Sequence, residues 1–242
     1  MIKFNSEIGN FEVPTDYSEL TFEKFSLLQS FKDDEANFLR VLTGAELFQL
    51  SIVDFSEIEP YIEFLKSDPA EEIAENNSIE FENNTYSIAS DIGSYSWEQK
   101  IFFSRSISAG NILKCVSIYL QPLIDGIFDV EKVDLLCDKL KNNSFESVFS
   151  TYKYLEKRFV SIVKMESLKL KSSYTSEQIQ AGIKSFDQLA EFNTVDLIAG
   201  GDVLKYDAVL KIDYNTIFNK LLKLNLTTIF EEKYNSILQS KK

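Results

Sequence analysis

The strongest constraint on the fold is that the chain repeats itself. Phe11, Asp16 and Thr21-Phe22-Glu23 return in the same order as Tyr86, Asp91 and Ser96-Trp97-Glu98, at a constant offset of 75 residues. Upstream, Ile79-Glu80-Phe81 echoes Ile2-Lys3-Phe4 at an offset of 77, which predicts a second hairpin turn two residues shorter than the first. Ile2 and Phe4, then Phe11 and Val13, alternate with polar residues in the period-two pattern of a strand. Gly9-Asn10 is the expected turn and Pro14 the expected end of this hairpin. Thr21 then reads as the N-cap of a helix whose face carries Phe22, Phe25 and Leu28. In the second copy Ser96 and Gln99 form a capping box. The pattern is an internal repeat of hairpin, capped helix start and helices.

Between and beyond the copies the chain reads as helical. Only 8 Gly and 4 Pro interrupt 242 residues, and sparse breakers favour long helices over many short strands. Helices are expected at 35–42, closed by Thr43-Gly44, then near 45–50 and at 56–66. Residues 68–78 read as a linker. Trp97 to Leu120 reads as one helix bent near Gly110 and stopped by Pro122, followed by helices at 130–140 and, capped by Ser144, at 145–170. Residues 171–176 form a polar joint. The last helices are expected near 176–199, 203–211, 214–224 and 228–239, with Gly200-Gly201 ending the first and Asp202 and Asp213 as N-caps. Asp207 can pair with Lys211 one turn away. The expected fold class is mainly α with two small β-hairpins (α+β). Its parts are an N-terminal unit (1–68), a second hairpin and long-helix unit (79–171) and a C-terminal helical region (176–242).

Charge and residue usage narrow the function classes. Lys plus Arg number 25 against 38 Asp plus Glu, a net charge of −13. That field repels a phosphate backbone, so direct nucleic-acid binding is not expected. The chain contains no histidine, which removes Ser-His-Asp and Cys-His nucleophile systems and His-ligated zinc together. Cys115 and Cys137 sit in apolar helical contexts without a CxxC partner and read as buried free thiols. Neither a Walker loop, a GxGxxG nor an EF-hand loop occurs. Carboxylates alone can catalyse, and Asp202, Asp207 and Asp213 are the most suggestive set, but each reads better as helix punctuation. No catalytic, metal or cofactor residues are therefore expected. No apolar run is long enough for a membrane span, and the start shows no signal peptide, which points to a reducing cytoplasm.

One segment resembles a known group. Gly182-Ile183-Lys184-Ser185-Phe186, Leu189 to Asp196 and Gly200-Gly201-Asp202-Val203-Leu204-Lys205-Tyr206-Asp207 are similar to the C-terminal region of tail assembly chaperone-like proteins of tailed bacteriophages, including phages of gut Bacteroidetes. Leu20 to Phe25 and Arg40 to Gly44 resemble the start of that group. The resemblance implies a non-enzymatic virion-assembly protein. Its partners would be other phage structural proteins, tail or tape-measure segments, with self-association left open and the host cytoplasm or the virion as its place. The alternative is a structural virion component such as a connector, ring or packaged protein. Gly200, Gly201, Asp202, Leu204, Lys205 and Asp207 carry the motif as a helix-cap turn. Such work needs apolar grooves on a soluble acidic body, and a chain rich in Phe and Tyr can offer them.

Overall fold

A computed structural model describes residues 1–6, 9–45, 55–170 and 176–240. The protein is mainly helical with two antiparallel two-stranded sheets. Strands β1 (Ile2–Ser6) and β2 (Gly9–Val13) form the first hairpin, β3 (Ser78–Phe81) and β4 (Asn84–Ser87) the second. Helices α1 (Phe22–Ser30), α2 (Glu35–Thr43), α3 (Phe55–Ile58) and α4 (Pro69–Glu72) lie between them. Then come α5 (Trp97–Ser108), α6 (Ile112–Asp125), α7 (Val130–Leu140) and α8 (Phe145–Lys169). The last are α9 (Ser176–Gln180), α10 (Ala190–Ala199), α11 (Tyr206–Leu210) and α12 (Tyr214–Ser240).

The chain forms two compact units, each made of two segments: residues 1–88 with 106–156, and 89–105 with 157–242. The first unit holds a core that includes Val13, Leu20, Leu28, Leu42, Ile58 and Phe145. The second is built around Trp97, Ile101, Val195, Val209, Tyr214 and Ile217.

The repeat is present, with a simpler register than the sequence suggests. Phe4 pairs with Phe11 and Ile79 with Tyr86. Phe4 therefore corresponds to Ile79, and the offset of 75 runs through both strands. Both hairpins join their last pairs, Ser6 with Gly9 and Phe81 with Asn84, across two residues. Gly9 and Asn10 are strand residues and not the turn. Residues 7 and 8 lie outside the described ones. A two-residue slip leaves every side chain on the same face, so alternation alone cannot distinguish these registers. In the second hairpin Glu82 (φ 47°) and Asn83 (φ 63°) are both left-handed, as a two-residue turn matched to strand twist requires.

After each hairpin an Asp caps a short 3-10 turn. Asp16 accepts from the Ser18 amide at 2.9 Å and Asp91 from the Gly93 amide at 2.9 Å. Thr21 then caps α1 by accepting from the Lys24 amide at 3.1 Å. Ser96 and Gln99 make the reciprocal capping box, at 3.2 Å and 3.1 Å.

The cap residues also pair with a second helix start. Thr21 bridges Ser144 and Ser96 bridges Asp213, both antiparallel. The first amides of α1 and α8 donate to the carbonyls of Asn143 (2.9 Å) and Leu20 (2.7 Å). Those of α5 and α12 donate to Ile212 (2.8 Å) and Tyr95 (2.9 Å). Helix-first amides have no partner inside their own helix, so each pair of starts satisfies the other. The caps do the rest: Ser144 accepts from the Ser147 amide and Asp213 from the Thr216 amide. Each start carries an aromatic at its first position, and the rings meet in pairs. Phe22 and Phe145 lie 5.7 Å apart, Trp97 and Tyr214 5.8 Å apart and stacked. The sequence signal for this second duplication is Ser144-Phe-Glu-Ser-Val-Phe149 against Asp213-Tyr-Asn-Thr-Ile-Phe218.

Several expected boundaries move. The helix expected near 45–50 lies almost wholly outside the described residues, as do residues 171–175 of the polar joint. Residues 56–66 form α3 and two 3-10 turns, because Pro60 lacks an amide and disfavours helix at Glu59. Residues 97–120 form two helices. Gly110 (φ 67°) turns left-handed and Asn111 caps α6 through the Lys114 amide at 3.0 Å. Pro122 lies inside α6, which ends at left-handed Gly126. The buried run Cys115–Gln121 anchors the helix strongly enough to carry the proline past its usual stopping effect. Gly182 (φ 85°) splits the expected 176–199 helix. Residues 203–205 form a 3-10 turn ahead of α11. The expected break between 224 and 228 is absent, since Thr227 and Thr228 return their hydroxyls to the Lys223 and Leu224 carbonyls, the usual way such residues are accommodated within a helix.

One close approach gives a direct test. A Cβ on Gly93 would stand 2.3 Å from Asn215 Oδ1, and the Asn215 amide donates to Asp91 at 2.8 Å. Gly93→Ala is expected to cost about 1–3 kcal/mol in thermal or urea unfolding. Adding Asn215→Ala should recover most of that loss, because the obstructing group is gone.

Candidate functional site

The motif carried by the resemblance folds as a tight corner between α10 and α11. Gly200 (φ 71°) and Gly201 (φ 78°) are both left-handed, the conformation glycine adopts at least cost past a helix end. Asp202 caps the next turn by accepting from the Leu204 amide at 3.1 Å, and Lys205 closes an ion pair on it at 3.0 Å. Asp207 lies in the first turn of α11, where the helix dipole favours an acid. Asp207 and Lys211 both act on Glu98. Burial raises the Glu98 pKa first, Lys211 then lowers it and Asp207 raises it.

With its polar residues used for capping, the corner pushes its apolar residues outward. Leu204 is 90% exposed and Val203 65% exposed. Phe186, Leu189, Phe192 and Leu197 on the approach to the corner are exposed as well. Phe192 keeps one edge on the Tyr206 ring, 5.6 Å away. The Tyr206 hydroxyl donates to Asp196 at 2.5 Å, and that bond holds its pKa above the ordinary phenol value. Most large apolar side chains left exposed in the described residues fall in this second unit. Exposed apolar side chains gathered in this way make the corner the candidate surface of this unit.

A second exposed face was hidden from sequence reading by the expected break in α12. Tyr214, Ile217, Phe218 and Leu221 turn one side of that helix into the core. Leu226, Phe230, Tyr234, Ile237 and Leu238 remain exposed further along it. Recognising a continuous helix through Thr227-Thr228 would have shown the stripe.

The candidate acids do not converge. Asp202, Asp207 and Asp213 each sit at a separate helix start. Among the described residues no three His, Cys, Asp or Glu side chains cluster as metal ligands. No described helix is long and apolar enough to cross a membrane. Of the repeat-defining residues, Asp16, Thr21, Asp91 and Ser96 are caps, while Phe11 and Trp97 are buried. Phe22 and Trp97 open the bridged starts, and Tyr86 lies on β4.

Cys115 is buried and Cys137 half-buried. Burial pushes the Cys115 thiol up to about 12 and also raises Cys137, whose sulfur donates to the Ser117 hydroxyl at 3.3 Å. Thiolate is the reactive form. Cys115 is therefore expected to resist a colorimetric thiol reagent in the folded chain at pH 8 and to react at once in urea. Labelling of Cys115 at the same rate in both states would refute its burial.

Comparisons with protein-family models, with curated proteins and with solved structures find no match for this chain.

Proposed function

We propose that this is a non-enzymatic virion-assembly protein of the tail assembly chaperone type, acting in the host cytoplasm on other phage structural proteins. The observation that carries the reading is the corner at 200–205. Its caps fix the backbone while Val203 and Leu204 are held out in water. An apolar tail or tape-measure segment would cover them together with Phe186 and Phe192. The net charge of −13 keeps a body with such a surface in solution. The motif that resembles the phage group is the same stretch that makes the corner, which is why the resemblance and the exposed surface support one reading.

The test uses infected cells. Tagged wild-type chain should retain tail proteins, and a Val203→Asp, Leu204→Asp variant should lose them with an unchanged thermal midpoint, since both residues are exposed. Mass spectrometry of purified virions should then lack the chain. Its presence there at fixed copy number would replace this reading with that of a structural virion component. Equal retention by wild type and variant would remove the corner as the binding surface.

A further inference from the structure

The two edges of the second hairpin are treated differently. Just past β4 the Ile88 amide donates to the Asn77 carbonyl at 2.8 Å. Inward and outward backbone groups alternate along an antiparallel pair. Tyr86 and Asn84 therefore also bond inward, and the backbone groups of Thr85 and Ser87 point outward from β4. On the β3 side the outward residues are Glu80, Ser78 and, just ahead of the strand, Asn76.

That side is closed. The Asn143 side chain, just ahead of α8, donates to the Glu80 carbonyl at 2.9 Å. The Ser78 amide donates to the Asn76 side chain at 3.1 Å, and the Asn76 amide donates to the Ser150 carbonyl of α8 at 3.1 Å. On the β4 side Thr85 and Ser87 are exposed. Among the described residues their amides and carbonyls have no hydrogen-bond partner.

Open strand edges are ordinarily guarded by charge, proline, a bulge or a covering element. The strand Asn84-Thr85-Tyr86-Ser87 carries no charge and no proline, and it pairs with β3 without a bulge. The first copy of the repeat is guarded at the same place. At the offset of 75, Ser87 corresponds to Glu12, an exposed acid that pairs with Lys3 across its hairpin at 3.2 Å.

We propose that β4 pairs antiparallel with β4 of a second copy of the chain, about a two-fold axis at Tyr86, so that the two hairpins become one four-stranded sheet. The edge is complementary to itself. An axis at Tyr86 sets Thr85 opposite Ser87 of the second copy, and Ser87 opposite its Thr85. In both pairs the outward amide and carbonyl of each residue meet their counterparts. Tyr86 then faces its own copy at the closer, non-hydrogen-bonded site, where aromatic cross-strand pairs add stability. The absence of charge matters doubly here, because a symmetric contact repeats every charge on both sides. Each copy spends its open edge in the contact, so assembly closes at the dimer. The exposed corner at 200–205 lies in the other unit, and this inference does not rest on the function proposed for it.

Sedimentation velocity of the full chain over a range of concentrations tests the pairing. Wild type should show monomer and dimer and nothing larger. A Thr85→Lys, Ser87→Lys variant sets lysine against lysine in both pairs and should weaken the dimer at least about tenfold. A Thr85→Lys, Ser87→Glu variant sets lysine against glutamate instead and should keep it. Both variants change the same exposed side chains, so the difference between them reads the pairing and not the fold. Ser87→Pro removes an outward amide that the hairpin does not use, the place where a strand tolerates proline. It should leave the thermal midpoint close to wild type while the dimer is lost. Wild type remaining monomeric to about 0.5 mM would overturn the proposal and leave the edge to an extended segment of some other chain. A series extending past the dimer would overturn it too, as would undiminished dimer in the lysine–lysine variant or loss of dimer in both charge variants.

Discussion

Phe145→Ala is expected to destabilise the first unit by about 3–5 kcal/mol, read as a lower urea midpoint. Phe145 is 2% exposed and stacks on Phe25 at 3.7 Å between ring centres. Tyr17, Phe22 and Phe149 complete the ring cluster around it. Its backbone is pinned, because the Phe145 amide donates to Leu20 across the bridge. The void left by truncation therefore cannot close by moving the helix start, which is the condition under which cavity costs are largest. Tyr214→Ala, at the equivalent position, should cost the second unit a similar amount. Tyr214→Phe should behave differently. The Tyr214 hydroxyl is buried with no hydrogen bond of ordinary geometry, and Glu166 is close enough only to act on its ionisation, so losing it should cost less than about 1 kcal/mol. Burial first, and Glu166 second, raise the Tyr214 pKa well above its ordinary 10.0. With a raised native pKa, its contribution is complete below pH 10 and is lost as pH rises beyond it, because only the unfolded phenol releases its proton there. Tyr214→Phe should remove that part of the alkaline loss. A Phe145→Ala change under about 1 kcal/mol would mean that the bridged aromatic pair is not a core element.

What the sequence made readable follows from how local each signal is. Caps were readable because each needs one side chain and an amide two or three residues on: Thr21, Ser96, Ser144, Asp202 and Asp213 are all caps. The helices expected at 35–42 and 130–140 were readable because each carries a consistent apolar face. Helix continuity was not, because it depends on burial from elsewhere. Pro122 and the Thr227-Thr228 pair look like stops in isolation, yet α6 and α12 pass through them. Gly110 and Gly182 look tolerable inside helices, yet both turn left-handed and divide them. The hairpin register escaped because two-residue slips preserve the pattern. The bridge between helix starts was unreadable from either partner alone, since Thr21 and Ser144 are joined by contacts across more than a hundred residues. At the candidate surface the caps of the 200–207 corner were readable. The exposure of Val203 and Leu204 was not, because apolar residues beside a cap ordinarily face a core.

Gln121→Ala is expected to cost about 2–4 kcal/mol. Gln121 is 1% exposed. Its amide nitrogen donates to Asp125 Oδ2 and to the Ile127 carbonyl, each at 3.0 Å, and its oxygen accepts from the Asp129 amide at 2.8 Å. Asp129 in turn caps α7 through the Glu131 amide at 3.0 Å. One side chain thus ties the end of α6 to the start of α7. Truncation removes the partners of the Ile127 carbonyl and the Asp129 amide and leaves space behind. Gln121→Glu retains the volume but cannot donate while ionised, and it sets a second carboxylate beside Asp125. It should therefore be destabilised at neutral pH and recover as the new acid is protonated. Asp125 itself is held below its ordinary 3.8, first by the Gln121 bond and then by Lys132. A depressed native pKa contributes stability that is present above 3.8 and is lost as pH falls through the lower native value. Gln121→Ala should flatten that acid limb, so the gap between wild type and variant should be larger at pH 7 than at pH 3. Amide hydrogen exchange should show the 126–130 turn opening in the variant before the rest of α6 and α7. Equal gaps at both pH values would mean that Gln121 acts through packing alone and that its bond to Asp125 adds nothing to the fold.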